Sequence, residues 1–151
     1  MRACKPVAGA ALFVLMLAPA AFAQQASSAG RIKVVTGSAF VVRNNSTVPA
    51  RAGDEVFASD ALQTGADGSL GITLKDDTRL SLGPSSEVRL ERYVYAPDSG
   101  ALGMVLNFVR GVGGYISGRI AKMAPDSIRL ETPAAIVGVR GTTLAIKVDE
   151  Q

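Results

Sequence analysis

The amino-acid sequence predicts an all-β fold, and three observations support this prediction. Apolar and polar residues alternate at a period of two along short runs, as they do in a strand with one buried face. Clusters of glycine, proline, asparagine and aspartate separate these runs at short intervals and favour turns. No convincing helical period follows Gly30, because the best candidate, residues 115–123, contains Gly118 and leads into Pro125.

The predicted strands follow one another closely along the chain. Their turns recur at intervals that suit a β-sandwich, a small barrel, or a coil of strands in which each winding stacks on the last. Alternation places the leucine, isoleucine and valine residues at even positions between Leu70 and Leu90 on the inner face. The strands predicted up to Val112 are Ile32–Thr36, Phe40–Arg43, Glu55–Ser59, Ala61–Thr64, Leu70–Lys75, Thr78–Leu82, Glu87–Tyr95 and Ala101–Val112.

Two of these strands depart from the simple alternation of buried and exposed residues. After Leu90 the alternation changes phase, since Tyr93 and Tyr95 take odd positions, and a β-bulge or a strand buried on both faces would explain the change. Ala101–Val112 is apolar on both faces, so it is predicted to be a central strand.

The last part of the chain contains two more alternating runs, residues 128–130 and 144–148, which predict strands. Between them, Pro133 removes a backbone donor, and Gly138 and Gly141 permit backbone angles closed to other residues. This part is therefore predicted to form three strands joined by two sharp bends.

The residues between these runs are predicted to make the fold rather than to carry out chemistry. Arg140 interrupts an apolar run, and an inward arginine must be paired or bonded to carbonyl groups because an isolated buried charge is costly. A structural clamp on the turn is favoured over a ligand contact. The fold-making residues, with a possible role in interaction, are Thr132, Pro133, Gly138, Arg140, Gly141 and Thr142.

The first 23 residues have the pattern of a secretory signal peptide. A basic start precedes an apolar segment from Val7 to Leu17, and Ala21-Phe22-Ala23 has the small-x-small spacing of a cleavage site. Because the apolar segment is shorter than the roughly 20 residues that span a membrane, we expect cleavage after Ala23 and no stable membrane insertion. Residues 24–30 are expected to form a disordered leader before a single β domain at residues 31–151.

Composition excludes several classes of function. Removal of Arg2 and Lys5 with the signal peptide leaves 14 basic residues against 13 acidic ones, a net charge of +1. We expect no nucleic-acid partner, since neither a clustered basic face nor stacking aromatics are apparent. The chain has no histidine, and its one cysteine, Cys4, lies in the signal peptide. No catalytic, metal or cofactor site is therefore predicted, and the protein is not expected to be an enzyme.

The nearest approach to a carboxylate cluster is Asp76-Asp77, with Asp54 or Asp67. Adjacent residues of a strand point to opposite faces, so this pair would converge on one ion only in an unusual turn. A polar turn between two strands is the favoured role.

Several motifs occur in a characteristic order: Gly37, Gly53-Asp54, Leu62-Gln63-Thr64, the hairpin-like segment 74–80, the segment 82–88, Phe108-Val109-Arg110-Gly111, and the segment 132–142. Through these motifs the sequence resembles the FecR domain. That domain is the periplasmic module of transmembrane regulators that relay siderophore signals to extracytoplasmic sigma factors. The resemblance covers about residues 31–148. It implies an all-β module with solenoid-like windings, no enzymatic activity, and a periplasmic or secreted location in a bacterium; a β-sandwich or small barrel is the alternative fold.

The leading functional hypothesis is a module that binds an envelope protein in sensing or signalling. The partner would add a strand to an exposed sheet edge. Outward Thr143 and Lys147 would keep this edge soluble. The alternative is a structural or glycan-binding envelope protein, although few aromatics are available for stacking on sugars. The candidate edge strand consists of Thr143, Leu144, Ala145, Ile146, Lys147 and Val148.

Overall fold

The structure of the protein is a computed structural model, which describes residue 3, residues 27–139 and residues 143–149. The described part of the chain is built almost entirely from strands, with one short α-helix and two turns of 3-10 helix. The all-β fold class is therefore confirmed. The predicted signal peptide lies outside the described residues, except for Ala3.

Twelve strands and the helix follow one another in the described residues. The strands are β1 Ser28–Thr36, β2 Ala39–Arg43, β3 Ser46–Pro49, β4 Glu55–Phe57, β5 Ala61–Thr64, β6 Ser69–Leu74, β7 Arg79–Leu82, β8 Glu87–Ala96, β9 Ala101–Ile116, β10 Ile128–Glu131, β11 Ile136–Gly138 and β12 Thr143–Val148. The helix α1, Arg119–Met123, lies between β9 and β10, and the 3-10 turns are Pro97–Ser99 and Pro125–Ser127.

Strand β9 organises the sheet, because four other strands pair with it. β8 pairs antiparallel with residues 101–110, and β10 pairs parallel with residues 104–107 on the opposite side. Further along β9, β7 pairs with residues 113–116 and β12 with residues 111–116, again on opposite sides. The strand order through β9 is β3-β2-β5-β8-β9-β7-β6-β1-β4. The sheet therefore has two halves that share β9 and curl around one core.

The curled sheet differs from the stacked windings that the family resemblance implied. All described strand pairs are antiparallel except β10 with β9. Short turns join β2 to β3, β6 to β7 and β8 to β9, and such turns produce hairpins, whereas stacked windings pair in parallel. The solenoid-like windings are thus not confirmed, and the sheet is an open half-barrel.

The buried side chains confirm the inner face predicted from alternation. Leu70, Ile72 and Leu74 of β6 are buried, while Thr73 between them is only half-buried. The large side chains of the core come from both halves of the sheet, so each half covers the apolar face of the other. They include Ile32, Leu62, Ile72, Leu90, Met104, Leu106, Phe108, Tyr115 and Ile120.

Two predictions about individual strands are confirmed. The register between β8 and β9 shifts between Leu90 and Arg92, at the point where the alternation changes phase. The segment that is apolar on both faces is the central strand β9, which extends past Val112 to Ile116. Its central position follows from its having partners on both sides.

Three local predictions are wrong. Residues 28–30 are not part of a disordered leader, because they belong to β1 and Ala29 is buried. Strand β3 was not predicted, since all four of its side chains are exposed and it has no alternating pattern. Helix α1 forms where no convincing helical period exists. Its first turn is anchored by Asp76, which lies far away in the sequence.

The carboxylate of Asp76 is a buried polar centre that joins three elements. Asp76 lies in the turn from β6 to β7, and it is fully buried. It accepts hydrogen bonds from the hydroxyls of Thr78 at 2.6 Å and Tyr93 at 2.9 Å. It also accepts one from the backbone N–H of Ile120 in α1 at 3.3 Å. These donors offset the cost of burying the carboxylate and hold the turn, β8 and α1 together.

The Asp76-Asp77 pair makes the polar turn that the sequence predicted. Asp77 has a φ of 68°, and its N–H donates to the carbonyl of Leu74 at 3.0 Å. Its side chain is exposed, so the two neighbouring aspartates lie in opposite environments. Gly118 passes so close to the backbone of this turn that a Cβ atom would collide with the Asp76 carbonyl oxygen.

The environment around Asp76 favours neutral tyrosines. Burial raises the pKa of Tyr93 above its ordinary value, and the negative charge of Asp76 raises it further. Burial also raises the pKa of Tyr115 to about 12, again with a contribution from the charge of Asp76. Both phenols therefore resist ionisation in the folded state.

We predict that Asp76→Asn lowers the free energy of unfolding by about 2 kcal/mol, because the amide cannot replace both acceptor oxygens of a buried carboxylate. The matched control is Asp77→Asn, which keeps a residue that tolerates positive φ and disrupts only an exposed ion pair with Arg119. Urea denaturation should show a loss within about 0.5 kcal/mol for the control. Equal losses in the two variants would contradict the role assigned to Asp76.

We also predict that stability falls at alkaline pH. The tyrosines of the unfolded chain ionise near pH 10. In the folded protein, burial raises the pKa of Tyr115 to about 12. The stabilisation from the raised pKa is therefore complete below about pH 10 and is lost as the pH rises through the folded-state pKa. Urea denaturation across this range should give a shallower pH dependence for Tyr115→Phe than for the unaltered protein. Identical slopes would show that Tyr115 does not contribute.

Candidate interaction surface

Strand β12 lies at an edge of the sheet. It pairs antiparallel with β9 from Thr143 opposite Ile116 to Val148 opposite Gly111. Among the described residues, no second strand pairs with β12. Backbone N–H and C=O groups on its other side are therefore not used in a sheet ladder within the described part of the chain.

The side chains of β12 alternate between the core side and the solvent side. Leu144 and Ile146 are half-buried and pack against the core, whereas Thr143 and Lys147 are exposed. The ammonium group of Lys147 lies 3.1 Å from the carboxylate of Asp149, but both side chains are more than two-thirds exposed, so this pair adds little stability. The outward alternation of Thr143 and Lys147 agrees with the sequence pattern.

β12 has the longest free edge among four described edge strands. β3 has four residues and contains Pro49, which has no backbone N–H to donate. β4 and β11 have only three residues each. β12 has six residues and no proline, so it offers the most continuous set of backbone groups to another strand.

The hairpin of β10 and β11 contains the first of the predicted fold-making residues. The N–H of Thr132 donates to the carbonyl of Ala135 at 2.8 Å. The Thr132 hydroxyl oxygen accepts a hydrogen bond from the Ala135 N–H at 3.1 Å. Pro133 is exposed within this turn. Thr132 and Pro133 are thus positioned to shape the turn that reverses the chain between the two strands.

Gly138 does not make the bend that the sequence predicted. It lies in β11 opposite Arg129, and its φ is outside the left-handed region. A Cβ atom at this position would meet no other atom within 4 Å. The remaining residues of the predicted motif, Arg140, Gly141 and Thr142, lie outside the described residues. The proposed clamp by Arg140 therefore stays a prediction.

An exposed apolar pair on β11 was missed by the sequence reasoning. Ile136 is 68% exposed and Val137 is 42% exposed. The sequence reasoning made no statement on the exposure of this strand, because hydrophobicity alone does not distinguish the centre of a sheet from its edge. The nearby Pro133 was the one available signal, since proline is found mainly beside or on edge strands.

The carboxylates considered for chemistry do not converge. In the described parts of the chain, no group of three or more histidine, cysteine, aspartate or glutamate side chains is placed to hold a metal ion. Asp54 instead accepts a hydrogen bond from the N–H of Arg51 at 2.9 Å, within its own turn. No helix within residues 27–139 or 143–149 is long and apolar enough to cross a membrane.

Comparison with known proteins places this chain in a family. The family model described as FecR protein matches residues 60–151, which is more than half of the chain. No curated protein and no solved structure matches the sequence. The match begins at Asp60, just before β5, and runs through the Asp76 turn, β9 and β12. The chain therefore belongs to the FecR family, whose members are regulators of envelope signalling.

Proposed function

We propose that this protein is an exported, non-enzymatic FecR module that acts by binding another envelope protein in sensing or signalling. The observation that carries the proposal is the free edge of β12, six residues long and without proline. The regulatory character of the family supports a binding role. The signal-peptide pattern of residues 1–23 supports export to the periplasm or the cell exterior.

Addition of a partner strand to β12 would give the complex both affinity and selectivity. Backbone hydrogen bonds along the edge would supply affinity that does not depend on sequence. Leu144, Ile146 and Val148 are only half-buried, so apolar side chains at alternate positions of the added strand would complete their burial. Lys147 on the other face would favour a carboxylate on the partner strand.

We predict that a photo-crosslinking residue placed at Lys147 captures an envelope protein in living cells. The matched control carries the same residue at Lys122, an exposed lysine on α1, which has no strand edge to which a partner strand could be added. The Lys147 position should give a discrete adduct, and the Lys122 position should not. Replacing both Leu144 and Ile146 by threonine should weaken the adduct by about tenfold, because the apolar contacts are lost. Equal adducts at the two lysines would contradict the edge assignment.

A second prediction tests the free edge without any partner. Lys147→Val should promote self-association, because a charged side chain on an edge strand opposes pairing with a second copy. Light scattering and size-exclusion chromatography should detect oligomers at lower protein concentration than for the unaltered chain. Lys122→Val changes the same charge on the helix and should leave the oligomeric state unchanged. Monomeric behaviour of both variants would show that the edge is not open.

A further inference from the structure

A polar cleft lies between the start of β1, the β2–β3 turn, β4 with the loop that follows it, and the turn after β6. We propose that it binds an acidic sugar through the sugar's carboxylate. Its volume is about 590 Å³, which suits a small ligand. None of its lining residues belongs to β9 or β12, so this site is separate from the edge to which we assign protein binding.

An arginine in the cleft is fixed by a buried carboxylate. Asp60 is buried, and it accepts hydrogen bonds from Nε of Arg43 at 2.8 Å and from Nη2 at 2.6 Å. The backbone N–H of Phe57 donates to the same carboxylate at 2.9 Å. The guanidinium also lies over the ring of Phe57, 4.5 Å from the ring centroid. One edge and one face of the guanidinium are therefore held in place.

One nitrogen of the same guanidinium, Nη1, is available for a ligand, whereas Nη2 also donates to the carbonyl of Glu55 at 3.1 Å. Among the described residues, Nη1 of Arg43 makes no hydrogen bond, whereas Nε and Nη2 are both engaged. The side chain is 41% exposed, and it lines the cleft. A guanidinium already fixed by Asp60 loses little further conformational freedom when it donates to an incoming carboxylate.

A second cation lies in the same cleft. Lys75 is exposed, lines the cleft, and forms no ion pair with any described carboxylate. The charge of Arg43 is already compensated by Asp60. Lys75 is therefore the lining cation without a described carboxylate partner, so it can attract an anionic group.

The remaining groups favour a sugar acid over an inorganic anion. Glu55 also lines the cleft, and its carboxylate lies 3.6 Å from Arg31. A carboxylate is also a good acceptor of hydrogen bonds from the hydroxyl groups of a ligand. Asn44 and the hydroxyls of Ser28 and Ser59 add neutral donors and acceptors. A ligand with one carboxylate and several hydroxyl groups therefore matches the polar groups that line the cleft.

A peptide with a free carboxylate is the competing ligand. It would bind best by adding backbone hydrogen bonds to a strand. The edge strand that borders the cleft, β4, has only three residues. The residues that line the cleft include Arg43, Asn44 and Lys75, whose polar side chains suit a polyhydroxylated ring better than a peptide backbone.

The experiment is an NMR titration of the exported protein with galacturonate, glucuronate and N-acetylneuraminate, each compared with its methyl ester. At least one free acid should shift the amide signals of Asn44, Ser59 and Lys75, and its ester should bind about tenfold more weakly because it lacks the charge. Lys75→Gln should weaken binding of the acid by about tenfold without affecting the fold. Lys122→Gln is the matched control and should have no effect.

Arg43→Lys separates binding from folding, because it keeps a cation beside Asp60 but removes the free Nη1 donor. Its circular dichroism should be unchanged while binding of the acid is weakened. The proposal is overturned if no sugar acid shifts the cleft amides, if acid and ester bind equally, or if phosphate or a carboxylate-terminated tripeptide binds the same residues more tightly than every sugar acid. The first of these outcomes would leave the pair of Arg43 and Asp60 with a structural role alone.

Discussion

The contact between the Asp76 carboxylate and the Tyr93 hydroxyl determines how the two halves of the curled sheet meet. Asp76 belongs to the half that contains β6 and β7, whereas Tyr93 belongs to β8 in the other half. The Tyr93 hydroxyl donates to the carboxylate at 2.9 Å and accepts from the Asp76 backbone N–H at 3.0 Å. Such reciprocal bonds strengthen each other in the low-dielectric surroundings of a buried carboxylate. Because unpaired groups there would be costly, the arrangement admits few alternatives.

The position where β9 passes from one half to the other is fixed in a similar way. Gly111 has a φ of 85°, and its backbone lies so close to Ser86 that a side chain at residue 111 would collide with it. The hydroxyl of Ser86 accepts a hydrogen bond from the N–H of Val112 at 2.9 Å. Both features let one strand serve two sets of neighbours without losing its backbone hydrogen bonds.

The sequence predicts those features that depend on local alternation. Even-numbered aliphatic residues of β6 lie in the core as expected, and the change of phase after Leu90 marks a real shift of register. By contrast, alternation says nothing about Asp76, because its environment is made by Tyr93, 17 positions away, and by Ile120, 44 positions away. The anchoring of α1 and the cleft around Arg43 escaped prediction for the same reason: both depend on contacts between distant turns.

The half-burial of β12 has a consequence for how the module would exchange partners. β12 pairs with the part of β9 that contains Gly111, Gly113 and Gly114, and these glycines have no side chains to contact those of β12. Its own apolar side chains are only half-buried, whereas those of β6 are buried. Detaching β12 therefore exposes less apolar surface than global unfolding does, and local opening of this strand requires only part of the total free energy of unfolding. The same edge that accepts a strand can thus be displaced at a lower cost than a buried strand such as β6, which provides a route for strand exchange.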